Sequence, residues 1–205
     1  NEKTIFILLS TANILSSNGN NIEVNDALEK NNFYVWSKIL AETVITTSFS
    51  ENSRRYYIIR PTLVYGSGVK GNFRFLENCI KYIKIFPIFT NIAKLQKNYV
   101  HVENISSLIS NIIVGKIRQK ILNISDMENY FLEDIILGIS KKHNTKCVYI
   151  YVPKFLINFL WKMRNVTFNM TDDNQQKFLP KEMLYDFQGV SKVFNLTDYI
   201  EGKDL

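Results

Sequence analysis

Phe33-Tyr34-Val35-Trp36-Ser37-Lys38 opens the stretch whose reading decides the fold. Apolar residues continue from it at helical spacing through Val35, Ile39, Leu40, Val44 and Ile45, and Asn31 or Asn32 stands where an N-cap is expected. Before this helix, Thr4 to Leu9 is a continuous apolar run of strand length, the pattern of a strand covered on both faces, and it breaks into Ser10-Thr11-Ala12-Asn13. After it, Tyr56-Tyr57-Ile58-Ile59 reads as a second strand that Pro61 ends. Strand, helix, strand is a parallel crossover unit, so an α/β fold is expected. Ligands bind at the C-terminal ends of strands in open parallel sheets, and the hydroxyls of Ser10 and Thr11 stand at that end.

A tyrosine and a lysine four apart on a helix stand one above the other on one face, so the Lys38 ammonium can act on the Tyr34 phenol. A free tyrosine has a pKa of about 10, and at about 1.4 kcal/mol per unit a base working near neutrality needs about 4 kcal/mol from its surroundings. The spacing alone is not diagnostic in a chain with eleven tyrosines, because Tyr199 and Lys203 repeat it. Context separates the two pairs. Tyr34 starts an amphipathic helix that follows a strand ending in hydroxyls, whereas Tyr199 lies in a polar C-terminal tail between Asp198 and Glu201.

With 205 residues, 46% hydrophobic and 21% charged, the chain is long enough for one large domain or two small ones and is neither disordered nor fibrous. The net charge of +6 suits an anionic partner, but basic residues are scattered among acids. A nucleotide-sized ligand is therefore expected before nucleic acid. Cys79 and Cys147 are far apart in sequence without metal spacing, which predicts no zinc site and no disulfide framework. No apolar run approaches a membrane span, and a cytoplasmic protein is the default. Lys154 to Arg164, apolar with basic flanks, reads as a helix roofing a ligand pocket, with a membrane-surface helix as the other reading.

Further along, Asn72 to Ile85 reads as a helix stopped by Pro87. Gly66, Gly68 and Gly71 are read as a loosened loop that does not follow a strand in the GxGxxG manner, and so not as a phosphate loop. Tyr99 to Val102 reads as a strand, Glu103 to Val114 as a helix, and Ile121 to Ile124 as a strand ending at Ser125-Asp126. A helix through Leu132, Ile135, Ile136 and Ile139 then leads to a strand at Cys147 to Val152.

Several pieces fall in one order: the strand ending Ser10-Thr11, Tyr34-x-x-x-Lys38, Arg60-Pro61-Thr62-Leu63-Val64-Tyr65-Gly66, Lys97-Asn98-Tyr99-Val100-His101-Val102, and Leu122-Asn123-Ile124-Ser125-Asp126. Together they resemble the extended short-chain dehydrogenase/reductases, in the NAD-dependent epimerase/dehydratase branch. The resemblance implies the C-terminal part of a Rossmann-type parallel sheet with a smaller, mostly helical substrate lobe. Residues 1–66 would belong to the sheet domain and 67–205 to the lobe, with 99–126 returning to pack on the sheet.

The resemblance also implies roles. Tyr34 would exchange a proton with a sugar hydroxyl while hydride moves to or from the nicotinamide of NAD or NADP. Lys38 would hold the ribose hydroxyls, Thr11 would hydrogen-bond the reacting oxygen, and Tyr34, Lys38, Arg60 and Pro61 would adjoin the cofactor. The other reading of Thr11 is a strand-end hydroxyl satisfying backbone. Asn72 and Lys97 match places that contact the diphosphate of a nucleotide sugar; Lys97 stands where arginine is usual, and Leu63 replaces a common asparagine. His101 is expected to be structural. A second copy of the chain is a further expected partner. Proteins of this family begin with a strand and a glycine-rich turn that cradles the cofactor pyrophosphate, and that half is not recognisable here. The chain alone is then expected to bind NAD weakly and to leave the strand at Thr4 to Leu9 with an unpaired apolar edge. Two functions follow: a nucleotide-sugar epimerase, dehydratase or reductase, or a non-catalytic nucleotide-sugar-binding module.

Overall fold

The computed structural model describes residues 4–15, 32–49, 55–68, 70, 72–89, 96–126, 129–152 and 194–201. Strand β1 (Phe6–Leu9), helix α1 (Phe33–Ser48) and strand β2 (Tyr56–Pro61) form the expected crossover, with β1 and β2 parallel and Leu9 opposite Ile59. Asn32 caps α1: its Oδ1 accepts the Val35 N–H at 3.2 Å and so satisfies one of the donors that a helix start leaves over. Much later in the chain β6 (Ile121–Ile124) joins the other edge of β2, again parallel, with Pro61 opposite Ile124. The sheet order is β1-β2-β6.

β2 reads as an uninterrupted apolar run because both of its faces are covered. Ile58 packs with Ile45 of α1 on one face. Tyr57 and Ile59 turn to the other face, against Ile105, Leu108 and Ile112 of helix α3 (Val102–Ile113). Ile58 and Ile59 are both fully buried, and each such side chain contributes about 1.5–3 kcal/mol. The result is a helix, sheet, helix sandwich with β2 at its centre.

Beyond β2 the chain builds a second core. Strand β3 (Leu63–Tyr65) pairs parallel with β5 (Gln96–His101), and β5 pairs antiparallel with β7 (Asn129–Phe131). Helix α2 (Asn72–Asn78), α4 (Leu132–Lys142) and α5 (Leu196–Glu201) close over Tyr65, Phe73, Tyr99 and Tyr199. The rings of Tyr65 and Tyr199 meet edge-on with centroids 5.4 Å apart, an arrangement that adds to the area they bury. β4 (Ile85–Phe89) and β8 (Val148–Val152) form a separate parallel pair.

Several expectations are corrected. β1 is not covered on both faces: it is an edge strand among the described residues, with Phe6 48% and Leu9 45% exposed. The glycine cluster does follow a strand, because β3 delivers the chain straight into Gly66 and α2 starts at Asn72. Gly66 has φ +120°, and a Cβ there would lie 2.8 Å from Val102 Cγ1 and 2.9 Å from His101 Nε2, so close packing requires glycine. The helix begun by α2 runs through a π turn at Cys79–Ile83 and ends where Lys84 turns left-handed, not at Pro87. Pro87 lies inside β4, a place it tolerates because each strand of a two-stranded ribbon keeps one unpaired side. Tyr199 is not in a solvated tail; it is buried, and its hydroxyl donates to Glu77 at 3.3 Å. Cys79 is buried, Cys147 is half-buried, and both thiols are free. Burial first, and then the nearby Cys79, push the Cys147 thiol up; burial alone raises Cys79. The segment Lys154 to Arg164 lies outside the described residues.

Candidate functional site

At the C-terminal end of β1 the Ser10 N–H donates to Ile59 O at 2.7 Å, which extends the ladder by one residue. Thr11 then leaves the sheet in an extended conformation and caps a single 3-10 turn at Ala12–Ile14, where its Oγ1 accepts the Asn13 N–H at 3.3 Å. That turn packs Ile14 and Leu15 against Val35, which seats the first turn of α1 directly over the strand end. The local sequence explains this placement: hydroxyls stop the strand, a short apolar pair follows, and the amide of Asn32 starts the helix.

The consequence is that Lys38 reaches back to the strand. Its Nζ donates to Leu9 O at 2.9 Å and lies 5.8 Å from the centroid of the Tyr34 ring. Tyr34 is 54% exposed, so the phenol is presented to solvent while the ammonium beneath it is held. An ammonium has three N–H donors, and the Leu9 carbonyl takes one. Chemically this is an exposed proton-exchanging group above a fixed cation with two donors to spare. Thr11, two residues beyond Leu9, is buried.

Arg60 goes elsewhere. Its guanidinium is buried and grips Glu42 of α1, Nε to Oε1 at 3.0 Å and one terminal nitrogen to Oε2 at 2.6 Å. The charge of Arg60, a residue expected to adjoin a cofactor, is taken up by a carboxylate inside the sandwich. Pro61 ends β2 half-buried. Asn72 is the first residue of α2 and Lys97 stands in β5 opposite Tyr130, while their side chains lie outside the described ones. Sequence reading missed Glu42. The signal was available: it is the only acid in α1, four residues beyond the only cation.

A second polar centre closes the end of β6. Asp126, 1% exposed, accepts the Tyr65 O–H on Oδ2, and on Oδ1 the His101 N–H at 3.1 Å and the Asn104 Nδ2 at 2.8 Å. Asn104 in turn clamps Phe194, donating to its carbonyl at 2.7 Å and accepting its N–H at 3.0 Å. His101 caps α3 through Nδ1, which accepts the Glu103 N–H at 3.2 Å. These groups hold β3, β5, β6 and α3 to the segment leading into α5. Burial pushes the Tyr99 phenol well up, so it stays neutral as part of this core. Among the described residues no cluster of histidine, cysteine and carboxylates is suited to a metal, and no helix is long and apolar enough to cross a membrane.

Residues 3–110 match the family model described as Male sterility protein, an NAD-binding family. No curated protein matches the chain. Among solved structures it is similar to TunA, titled an NAD-dependent NDP-hexosamine 5,6-dehydratase of tunicamycin biosynthesis, with a TM-score of 0.63 and 11% identity over 97% of this chain and 61% of that one. Pal from Bacillus thuringiensis gives a TM-score of 0.60 and 16% identity, with 97% and 61% covered. The dTDP-4-dehydrorhamnose reductase from Bacillus anthracis, solved with NADP, gives 0.58 and 14%, with 75% and 52% covered. At these identities the likeness establishes the fold. The chain spans 52% to 61% of the length of these three structures.

Proposed function

Because the chain belongs to the Male sterility protein family of NAD-binding domains, we propose that it provides the proton-handling part of an NAD- or NADP-dependent epimerase, dehydratase or reductase that acts on a nucleotide sugar. The observation that carries this reading is the Lys38 ammonium held on the Leu9 carbonyl beneath the exposed Tyr34. A nicotinamide dinucleotide fits this edge, since the two remaining donors of Lys38 match two neighbouring ribose hydroxyls. When bound, the dinucleotide supplies reversible hydride transfer.

The chain's own residues do the rest. Tyr34, in its phenolate form, takes the proton of a substrate hydroxyl and returns it in the reverse sense. Lys38 stands beside that phenol as the fixed cation of the pair, held on the Leu9 carbonyl. Thr11 already accepts the Asn13 N–H, which leaves its own O–H to donate to the reacting oxygen. Asn72 and Lys97 complete the reading as contacts for the substrate diphosphate, with 1–66 as the sheet domain and 67–205 as the substrate lobe. A second copy of the chain is the partner that suits the outer face of α1, where Phe33, Leu40 and Val44 stand exposed without a charge between them.

One observation favours a second reading, a nucleotide-sugar-binding module without redox chemistry: the Thr11 hydroxyl oxygen serves a backbone cap. Cofactor affinity separates the two. In the protein as its gene encodes it, Lys38→Ala is expected to weaken NAD or NADP binding about tenfold or more, the loss of a charge-assisted hydrogen bond. Calorimetry that finds no cofactor binding by the unsubstituted protein, or equal affinity for both, would favour the binding module.

A further inference from the structure

We propose that the buried Glu42–Arg60 pair is the positioning device that sets the rotation of α1 about its axis, and with it the places of Tyr34 and Lys38. The inference rests on the reading of those two residues as the working groups. Glu42 and Arg60 touch no reacting atom and are positioning residues.

The need for such a device is visible in α1 itself. The helix buries Val35 and Ile45 at 2% and 7% exposure, yet leaves Phe33 61%, Val44 62% and Leu40 37% exposed. Both of its faces are apolar. Burial of hydrophobic area therefore discriminates weakly between the observed rotation and one that buries the other stripe. Polar groups have to decide it, and the helix contains one acid and one cation, Glu42 and Lys38.

Tyr34, Lys38 and Glu42 follow one another at four-residue steps and form a row along the same side of the helix. The far end of that row is fixed. Arg60 belongs to the central strand, with its Cα partner Asn123 on β6, so its guanidinium projects from the stiffest part of the sheet. Nε lies 3.0 Å and 3.2 Å from the two Glu42 oxygens, and a terminal nitrogen lies 2.6 Å from Oε2. A planar fork on a planar carboxylate restricts both height and rotation. Turning α1 by one residue, about 100°, would carry Glu42 off the fork and leave two buried charges apart, which is far costlier than the exchange of one apolar stripe for another. With Glu42 fixed, Lys38 one turn earlier meets the Leu9 carbonyl and Tyr34 two turns earlier stands over the end of β1.

The test compares the wild-type protein with the double variant Glu42→Leu/Arg60→Met, which removes both charges and keeps their bulk. Replacing a buried pair with apolar residues of similar volume commonly leaves stability intact, so a cooperative thermal melt is expected. Competitive acetylation with acetic anhydride, read by mass spectrometry, then reports on each lysine. The Lys38 rate is expected to rise about tenfold, as release from one charge-assisted hydrogen bond would give, while the other lysines keep their rates. A folded double variant whose Lys38 reacts at the wild-type rate would overturn the proposal and leave packing alone in charge of the rotation. If the double variant does not fold, Glu42→Gln replaces it: a rise at Lys38 alone supports the proposal, and an unchanged rate overturns it. Acetylation needs no cofactor, so its outcome is independent of whether the protein binds NAD or NADP.

Discussion

Replacing Asp126 with alanine is expected to destabilise the protein by about 3–4 kcal/mol. The carboxylate is 1% exposed and receives three donors: the Tyr65 hydroxyl, the His101 N–H at 3.1 Å and the Asn104 amide at 2.8 Å. Each buried donor left without an acceptor costs about 1–3 kcal/mol. The three do not simply add, since Asn104 retains the Phe194 carbonyl at 2.7 Å and a hydroxyl can rotate. Asp126→Asn keeps the volume and one acceptor oxygen, so about half the loss, roughly 2 kcal/mol, is expected. Urea unfolding at room temperature, followed by circular dichroism, gives both values from the midpoint and slope. In the alanine variant the segment entering α5 should also exchange its amides sooner, because Asn104 is its clamp. An Asp126→Ala protein within about 1 kcal/mol of wild type would refute the reasoning, showing that these donors find other acceptors.

Stability should fall in alkali. The folded-state pKa values of Cys79, Cys147 and Tyr99 are raised, so these groups favour the folded state while protonated. Their contribution is complete below the unfolded pKa values and is lost as pH rises past them, first above about 8.5 for the thiols and then above about 10 for the phenol. Urea midpoints across that range test this, and a Cys79→Ser/Cys147→Ser variant should lose the earlier part of the decline. Gly66→Ala should cost about 2 kcal/mol or more, because φ +120° and the contacts with Val102 and His101 both reject a Cβ. Thermal melting checks it, and an unchanged midpoint would mean that β3 and α3 can separate without loss.

The elements that sequence made legible are those whose patterns are local. Thr4 to Leu9, the helically spaced apolar residues of α1 and Tyr56 to Ile59 each declare their type over a few residues, and the crossover follows from their order. The N-cap at Asn32 was readable for the same reason. The unpaired edge of β1 was expected, but its exposed faces were hidden, because an apolar run has the same pattern whether or not those faces are covered. β4 was masked by Pro87, which in a longer sheet would have excluded a strand. Tyr199 looked solvated among acidic neighbours; partners remote in sequence, Tyr65 and Glu77 more than a hundred positions away among them, help to bury it. The pairing of Glu42 with Arg60 crosses helix to strand, so a single chain read linearly shows two candidates and no partner. Tyr34 and Lys38 were legible because their relation is contained within one helical turn.

The account's central claim is that Tyr34 transfers the proton, and replacement of its hydroxyl tests this most directly. Tyr34→Phe removes one oxygen from an exposed side chain, so folding should be unaffected. In the protein as its gene encodes it, supplied with NAD or NADP and a panel of nucleotide sugars, single-turnover conversion should fall at least about a hundredfold, the usual contribution of a positioned acid or base. Cofactor affinity should stay within about twofold, since the ribose contact proposed above is Lys38 and not the phenol. A Tyr34→Phe protein that keeps most of the wild-type rate would contradict the claim and exclude Tyr34 as the proton-transfer group.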